Sequence, residues 1–123
     1  MNRMDYKGRQ QKRSLPKFEC VCITYDEIMF AYATQLSENA DILAVRCNVP
    51  IKDLIEEKRY CTDFVFETMN HEKIVRECVY RKQLTKPMTA KLLEASRTYW
   101  KKQGITDWGI VTDAEKIIQS DKT

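Results

Sequence analysis

The chain has 123 residues, 43% hydrophobic and 32% charged, enough for one soluble domain with a real core and too few for two. No apolar run approaches the ~20 residues of a membrane-spanning helix, and none follows the basic N-terminus, so neither a transmembrane segment nor a secretory signal is expected. The net charge of +3 is unevenly placed: residues 1–17 hold six Lys or Arg against one acid, which is +5 and leaves −2 for the rest.

Residues 1–17 combine low hydrophobicity with Gly8 and Pro16, and read as a flexible basic arm. Its Arg3, Lys7, Arg9, Lys12, Arg13 and Lys17 suit contact with a phosphate backbone, while the same composition suits a solubilising tail. Residues 18–119 form a single domain and residues 120–123 a frayed end. Phe18 to Ile23 reads as a short strand with Cys20 and Cys22 on one face. The five cysteines, Cys20, Cys22, Cys47, Cys61 and Cys78, are odd in number and scattered through apolar segments. That pattern points to reduced, buried thiols in a cytoplasmic setting rather than to a disulfide framework.

Thr24 with Glu27 reads as a capping box opening a helix to Glu38, with Ile28, Met29, Tyr32, Ala33 and Leu36 as its apolar stripe and Asn39 as a left-handed cap. Residues 41–51 are β-rich up to Pro50 and Ile51, and residues 52–58 form a charged connector. Arg59 to Lys82 reads as two strands joined by a tight polar turn. With Asn70 at its centre, Asp63 faces Glu77 directly. Like charges so placed destabilise a sheet, so the pair calls for a cation, a proton or exposure. Cys61, Asp63 and Val65 are expected on one face and Thr62, Phe64 and Phe66 on the other; on the next strand Val75, Glu77, Val79 and Arg81 share a face.

Thr85-Lys86-Pro87 opens a second helix. Met88, Leu92, Ala95 and Tyr99 are its buried stripe, widened by Leu93, Ser96 and Trp100, with Gly104 as its stop. Trp108 to Val111 is a last strand, and Thr112 with Glu115 opens a short helix to about Gln119. Tyr99, Trp100 and Trp108 fall at core spacing rather than as a base-stacking platform, and His71, the single histidine, sits in the turn. The fold class is α/β, a mixed β-sheet flanked by helices in the order α-β-β-β-α-β.

Two carboxylates on adjacent strands are able to hold Mg²⁺ or Mn²⁺ through oxygen ligands, and equally able to pair with neighbours such as Arg59, Arg76 or Arg81. The run TDFVFE…IVRECVYRKQL, followed by a helix and then DWGIVTDAEK, resembles the N-terminal nuclease domain of the TnsA family, the endonuclease subunits of heteromeric transposases, over Tyr25 to about Lys116. The resemblance implies a restriction-endonuclease-like fold with Asp63 and Glu77 as metal-binding catalytic residues. It also implies a glutamate on the first helix, which Glu27 supplies only out of register, since that position falls on Met29. The Glu-x-Lys element reads Glu77-Cys78-Val79, so its lysine is replaced; Arg81 is the nearest cation expected on that face.

The resemblance therefore implies a small nuclease-fold protein of a mobile element, binding DNA or a transposase subunit, with catalysis impaired or absent. The alternative from another class is a non-enzymatic protein-binding module, such as an inhibitor of a host-defence (CRISPR-type) nuclease.

Overall fold

A computed structural model of the chain describes residues 10–51 and 60–113. Arg3, Lys7, Arg9, the expected connector over residues 52–58 and the expected closing helix lie outside these residues. The elements run β1 (Gln11–Arg13), β2 (Cys22–Thr24), α1 (Glu27–Glu38), β3 (Ile42–Ile51), β4 (Tyr60–Thr68), β5 (Lys73–Cys78), a single 3₁₀ turn (Arg81–Gln83), α2 (Pro87–Lys102) and β6 (Asp107–Val111). A four-stranded sheet has the order β3-β4-β5-β6. Its first two pairings are antiparallel and β5–β6 is parallel, with α2 as the crossover. The expected α-β-β-β-α-β order is the one observed.

The helices cover opposite faces. Ile28, Met29, Ala33 and Leu36 of α1 pack on Val45, Phe64, Phe66 and Cys78. Leu92 and Trp100 of α2 pack on Val49, Ile51, Tyr60, Val65 and Val75. Along β5 the alternation is the expected one: Ile74 and Cys78 face α1, while Val75 faces α2. Along β4 it is not. Phe64 and Phe66 belong to the α1 side, but Tyr60 belongs to the α2 side, where Trp100 Nε1 also donates to Thr62 Oγ1 at 2.8 Å. A regular strand would put all four on one face.

The change of phase falls where β3 and β4 lack a partner pair, between Cys47↔Phe64 and Val49↔Thr62. The residue of β3 at that step, Asn48, has φ 57. This left-handed backbone, which Asn tolerates better than most residues, marks the step at which both strands change face, with the register the same on either side. Asn48 is held there by Ile23: its Oδ1 accepts from Ile23 N and its Nδ2 donates to Ile23 O, both at 3.0 Å. One amide side chain thus ties β2, which pairs with β1, to β3 of the larger sheet.

Several local expectations are corrected. The segment expected to be a flexible arm through Lys17 is folded from residue 10 onward. β1 pairs with β2, and the Arg13 guanidinium lies 3.6 Å over the Phe30 ring while donating to Thr34 Oγ1 and Phe30 O at 2.8 Å. Lys17 Nζ donates to Asn39 O. The N-cap of α1 is Asp26, whose extended backbone lets Oδ1 accept from Met29 N at 2.9 Å; Thr24 is instead a core residue, 1% exposed. Asn39 has φ −85 and is not left-handed. Only Cys22–Thr24 of the first apolar run is a strand, with Cys20 exposed and Cys22 buried.

Proline at the start and glycine after the end of α2 act as expected. Gly104 has φ 90, Gly104 N donates to Lys101 O at 3.0 Å and Ile105 N to Trp100 O at 2.9 Å. This is a Schellman end, with Ile105 packed near Trp100 in the same cluster. The buried stripe is rotated slightly from expectation: Thr89 is buried while Met88 is 40% exposed.

Replacing Asn48 tests the phase change. Asn48→Ala loses both bonds to Ile23 and strains the positive φ, and is expected to lower the unfolding free energy by about 2–3 kcal/mol in urea titration. Asn48→Gly loses the bonds without the strain and is expected to cost about 1 kcal/mol less than alanine.

Candidate functional site

The β4–β5 ladder runs Glu67↔Lys73, Phe66↔Ile74, Val65↔Val75 and Phe64↔Arg76, which brings Asp63 opposite Glu77, as the sequence led one to expect. The turn that sets this register contains Met69 and Asn70 and closes at His71, whose φ is 67. The ladder stops one step short of the carboxylates. There the two strands part, and β5 continues against β6 through Glu77↔Ile110 and Cys78↔Val111.

At this fork the side chains take over the hydrogen bonding. Asp63 N donates to Glu77 Oε1 at 3.0 Å, and Cys78 N donates to Asp63 Oδ2 at 2.8 Å. Each carboxylate accepts a backbone N–H from the opposite strand, where a regular ladder would supply a carbonyl. Glu77 has further donors. Ser96 Oγ, on the inner face of α2, donates to Oε2 at 2.7 Å, and the Tyr60 hydroxyl also bonds to Glu77. Ser96 in turn accepts from Trp108 Nε1 at 3.1 Å.

Both carboxylates are 0% exposed. Burial, and then the charge of Asp63, push the Glu77 carboxyl up to about 8, against the opposing pull of Ser96, the Asp63 amide and Tyr60. A carboxyl held there keeps its proton at neutral pH, which resolves the like-charge conflict by neutralising one partner.

In this arrangement the pair is engaged by protein donors. Glu77 Oε1, Glu77 Oε2 and Asp63 Oδ2 already accept protein hydrogens. A hard cation requires several open oxygens and room for its waters. Among the described residues, no three His, Cys, Asp or Glu come together in a way that could hold a metal ion.

The other expected site residues are not drawn to the pair. Glu27 is exposed in the first turn of α1, lining a surface groove of about 570 Å³ with Gln11, Thr24, Asp26, Phe30 and Tyr80. Arg81 does not share the strand face with Glu77, because β5 ends at Cys78 and Arg81 begins the 3₁₀ turn. It is exposed, with its backbone N donating to Asp113 Oδ1 at 2.7 Å. Val79 is 2% exposed, its N donating to Val111 O at 2.9 Å. Lys12, Arg13 and Lys17 belong to the folded N-terminal segment, remote in sequence from the fork.

Sequence reasoning missed Ser96, Tyr60 and Thr62 as partners. Ser96 carried the only usable signal, a hydroxyl inside an otherwise apolar stripe, facing a sheet that contains two carboxylates.

A mixed sheet with a helix on each face, and paired carboxylates where two central strands fork, defines a restriction-endonuclease-like α/β protein. The family described as TnsA-like endonuclease N terminal matches residues 24–113, so the chain belongs to that family. A comparison with curated proteins gave no match. Among the described residues no helix is long and apolar enough to cross a membrane.

The proton on Glu77 sets a pH dependence with a definite sign. The folded carboxyl sits at about 8 against an ordinary 4.5, so between those values the folded chain holds a proton that the unfolded chain releases. The contribution of Glu77 to stability is therefore full below about pH 4.5 and falls as pH rises to about 8, at up to about 1.4 kcal/mol per unit. Denaturant titrations of Glu77→Gln are expected to flatten this fall and to exceed the native chain in stability at about pH 8. A fall equally steep in the variant would assign it to another group.

Proposed function

We propose that this domain is a nuclease-fold protein of a mobile element that binds DNA in a transposition setting and does not cut it. In this reading Asp63 and Glu77 hold the core together instead of holding a metal. The observation that carries it is the closed state of the pair: zero exposure and oxygens occupied by the Asp63 and Cys78 amides and by Ser96.

Val79 supports the same reading. Where the family resemblance calls for a lysine, this buried side chain brings no ammonium to orient a water or offset charge developing on a phosphate. The nearest basic side chain in sequence on that side, Arg81, lies beyond the end of the strand. A hydrolytic step would have to open the core, expose both carboxylates and supply a cation from elsewhere.

The test is cleavage of supercoiled DNA with Mg²⁺ or Mn²⁺, alongside Asp63→Asn and Glu77→Gln. The native chain is expected to nick no faster than either variant, and its melting temperature to stay unchanged on adding metal. Metal-dependent nicking lost in both variants would overturn the proposal.

A further inference from the structure

Away from the carboxylate pair, charge is concentrated in residues 81–102, RKQLTKPMTAKLLEASRTYWKK, where seven Lys or Arg stand against the single acid Glu94. That stretch carries +6 in a chain of net +3, so the remainder sums to −3. It is more basic than the N-terminal segment that composition first singles out. Lys91, Arg97, Lys101 and Lys102 are exposed on the outer face of α2, and Lys82 and Lys86 are exposed just ahead of it. The inner face is Thr89, Leu92, Leu93, Ser96 and Trp100, all buried.

Among the described residues, the fold gives most of these charges little to do. The first turn of α2 has no acid, and Lys86 occupies its N-cap position without a side-chain cap. A cation at the N-terminal end of a helix opposes its dipole, so Lys86 sits where it works against helix stability, while Lys82 lies in the preceding turn with its ammonium 5.9 Å over the Tyr80 ring. Lys101 and Lys102 favour the dipole at the other end, but Lys91 in the middle gains nothing from it. Glu94 lies 3.8 Å from Arg97, with both side chains exposed, an arrangement that contributes little.

The face also lacks what a protein partner would need. Protein interfaces have apolar centres depleted in lysine. From Lys91 to Lys102 the exposed residues are Lys91, Glu94, Arg97, Thr98, Lys101 and Lys102, and of the large exposed hydrophobics only Met88 lies on α2, in its first turn. The eleven steps from Lys91 to Lys102, at 1.5 Å rise each, span about 16 Å, the length of about five phosphates on one strand of B-DNA.

We propose that the outer face of α2, extended at its N-terminal end by Lys82 and Lys86, binds the phosphate backbone of duplex DNA without reading its sequence. This rests on the DNA-binding reading above and assigns it a surface. Ser96 on the inner face touches Glu77, so DNA on the outer face lies about a helix diameter, roughly 10 Å, from the carboxylates. Bound this way, a phosphodiester is not presented to Asp63 or Glu77.

The test is fluorescence anisotropy of a labelled duplex across a salt series, using the full chain and the triple variant Lys91→Gln, Arg97→Gln, Lys101→Gln, with thermal unfolding as the check on folding. The variant is expected to melt as the native chain does, to bind more than about tenfold more weakly at about 50 mM salt, and to lose about 3 units from the slope of log K against log salt. Native-level binding and slope in the variant would overturn this surface and leave the DNA reading standing. No duplex binding by the native chain would overturn both.

Discussion

The structure turns on two hydrogen bonds that cross the fork between β4 and β5, Asp63 N to Glu77 Oε1 and Cys78 N to Asp63 Oδ2. β5 pairs antiparallel on one side and parallel on the other, and at Glu77 it leaves its first partner while keeping its second. Parting strands inside a core would strand backbone N–H groups without acceptors, each a loss of about 1–3 kcal/mol. The two carboxylates remove that loss on both strands. They in turn need donors, which Ser96 and Tyr60 supply to Glu77. A buried polar network of this kind is stable only when each member is satisfied.

That requirement propagates outward. Ser96 must reach Glu77, which fixes the rotation of α2. Trp100, one turn further, donates to Thr62 on the same strand as Asp63, and Trp108 from β6 closes on Ser96. The face of β4 that meets α2 must therefore change near Asp63, and Asn48 on β3, at φ 57, is where the backbone allows it. With its inner face committed to this network, α2 turns its lysines and Arg97 to solvent. The same constraint that closes the carboxylate pair thus presents the basic surface.

How much of this was legible in the sequence depends on how local the cause is. The hairpin register was legible because Thr68 to Glu72 form a short polar turn between alternating strands, so Asp63 opposite Glu77 could be counted. The ends of α2 were legible because Pro87 and Gly104 act through their own backbones. The change of phase in β4 was not, because its cause is the conformation of Asn48, 15 residues before Asp63 in the chain. Asp26 and Thr24 offer the same cap chemistry two residues apart, and only the extension of β2 through Thr24, which buries that side chain, chooses between them. Arg13 read as one charge of a basic arm because its partners, Phe30 and Thr34, lie on α1. Ser96 read as a small residue in an apolar stripe, since nothing local says that it faces a carboxylate.

The most direct measurement is a backbone amide spectrum with hydrogen exchange, recorded with and without millimolar Mg²⁺. The Asp63 and Cys78 amides, each bonded to a buried carboxylate, are expected to exchange as slowly as the core of β4 and to keep their chemical shifts when the metal is added. Shifts at these two amides on adding Mg²⁺, with their exchange quickened, would mean that the carboxylates leave the backbone to bind the cation, and would contradict the closed pair on which the fold is built.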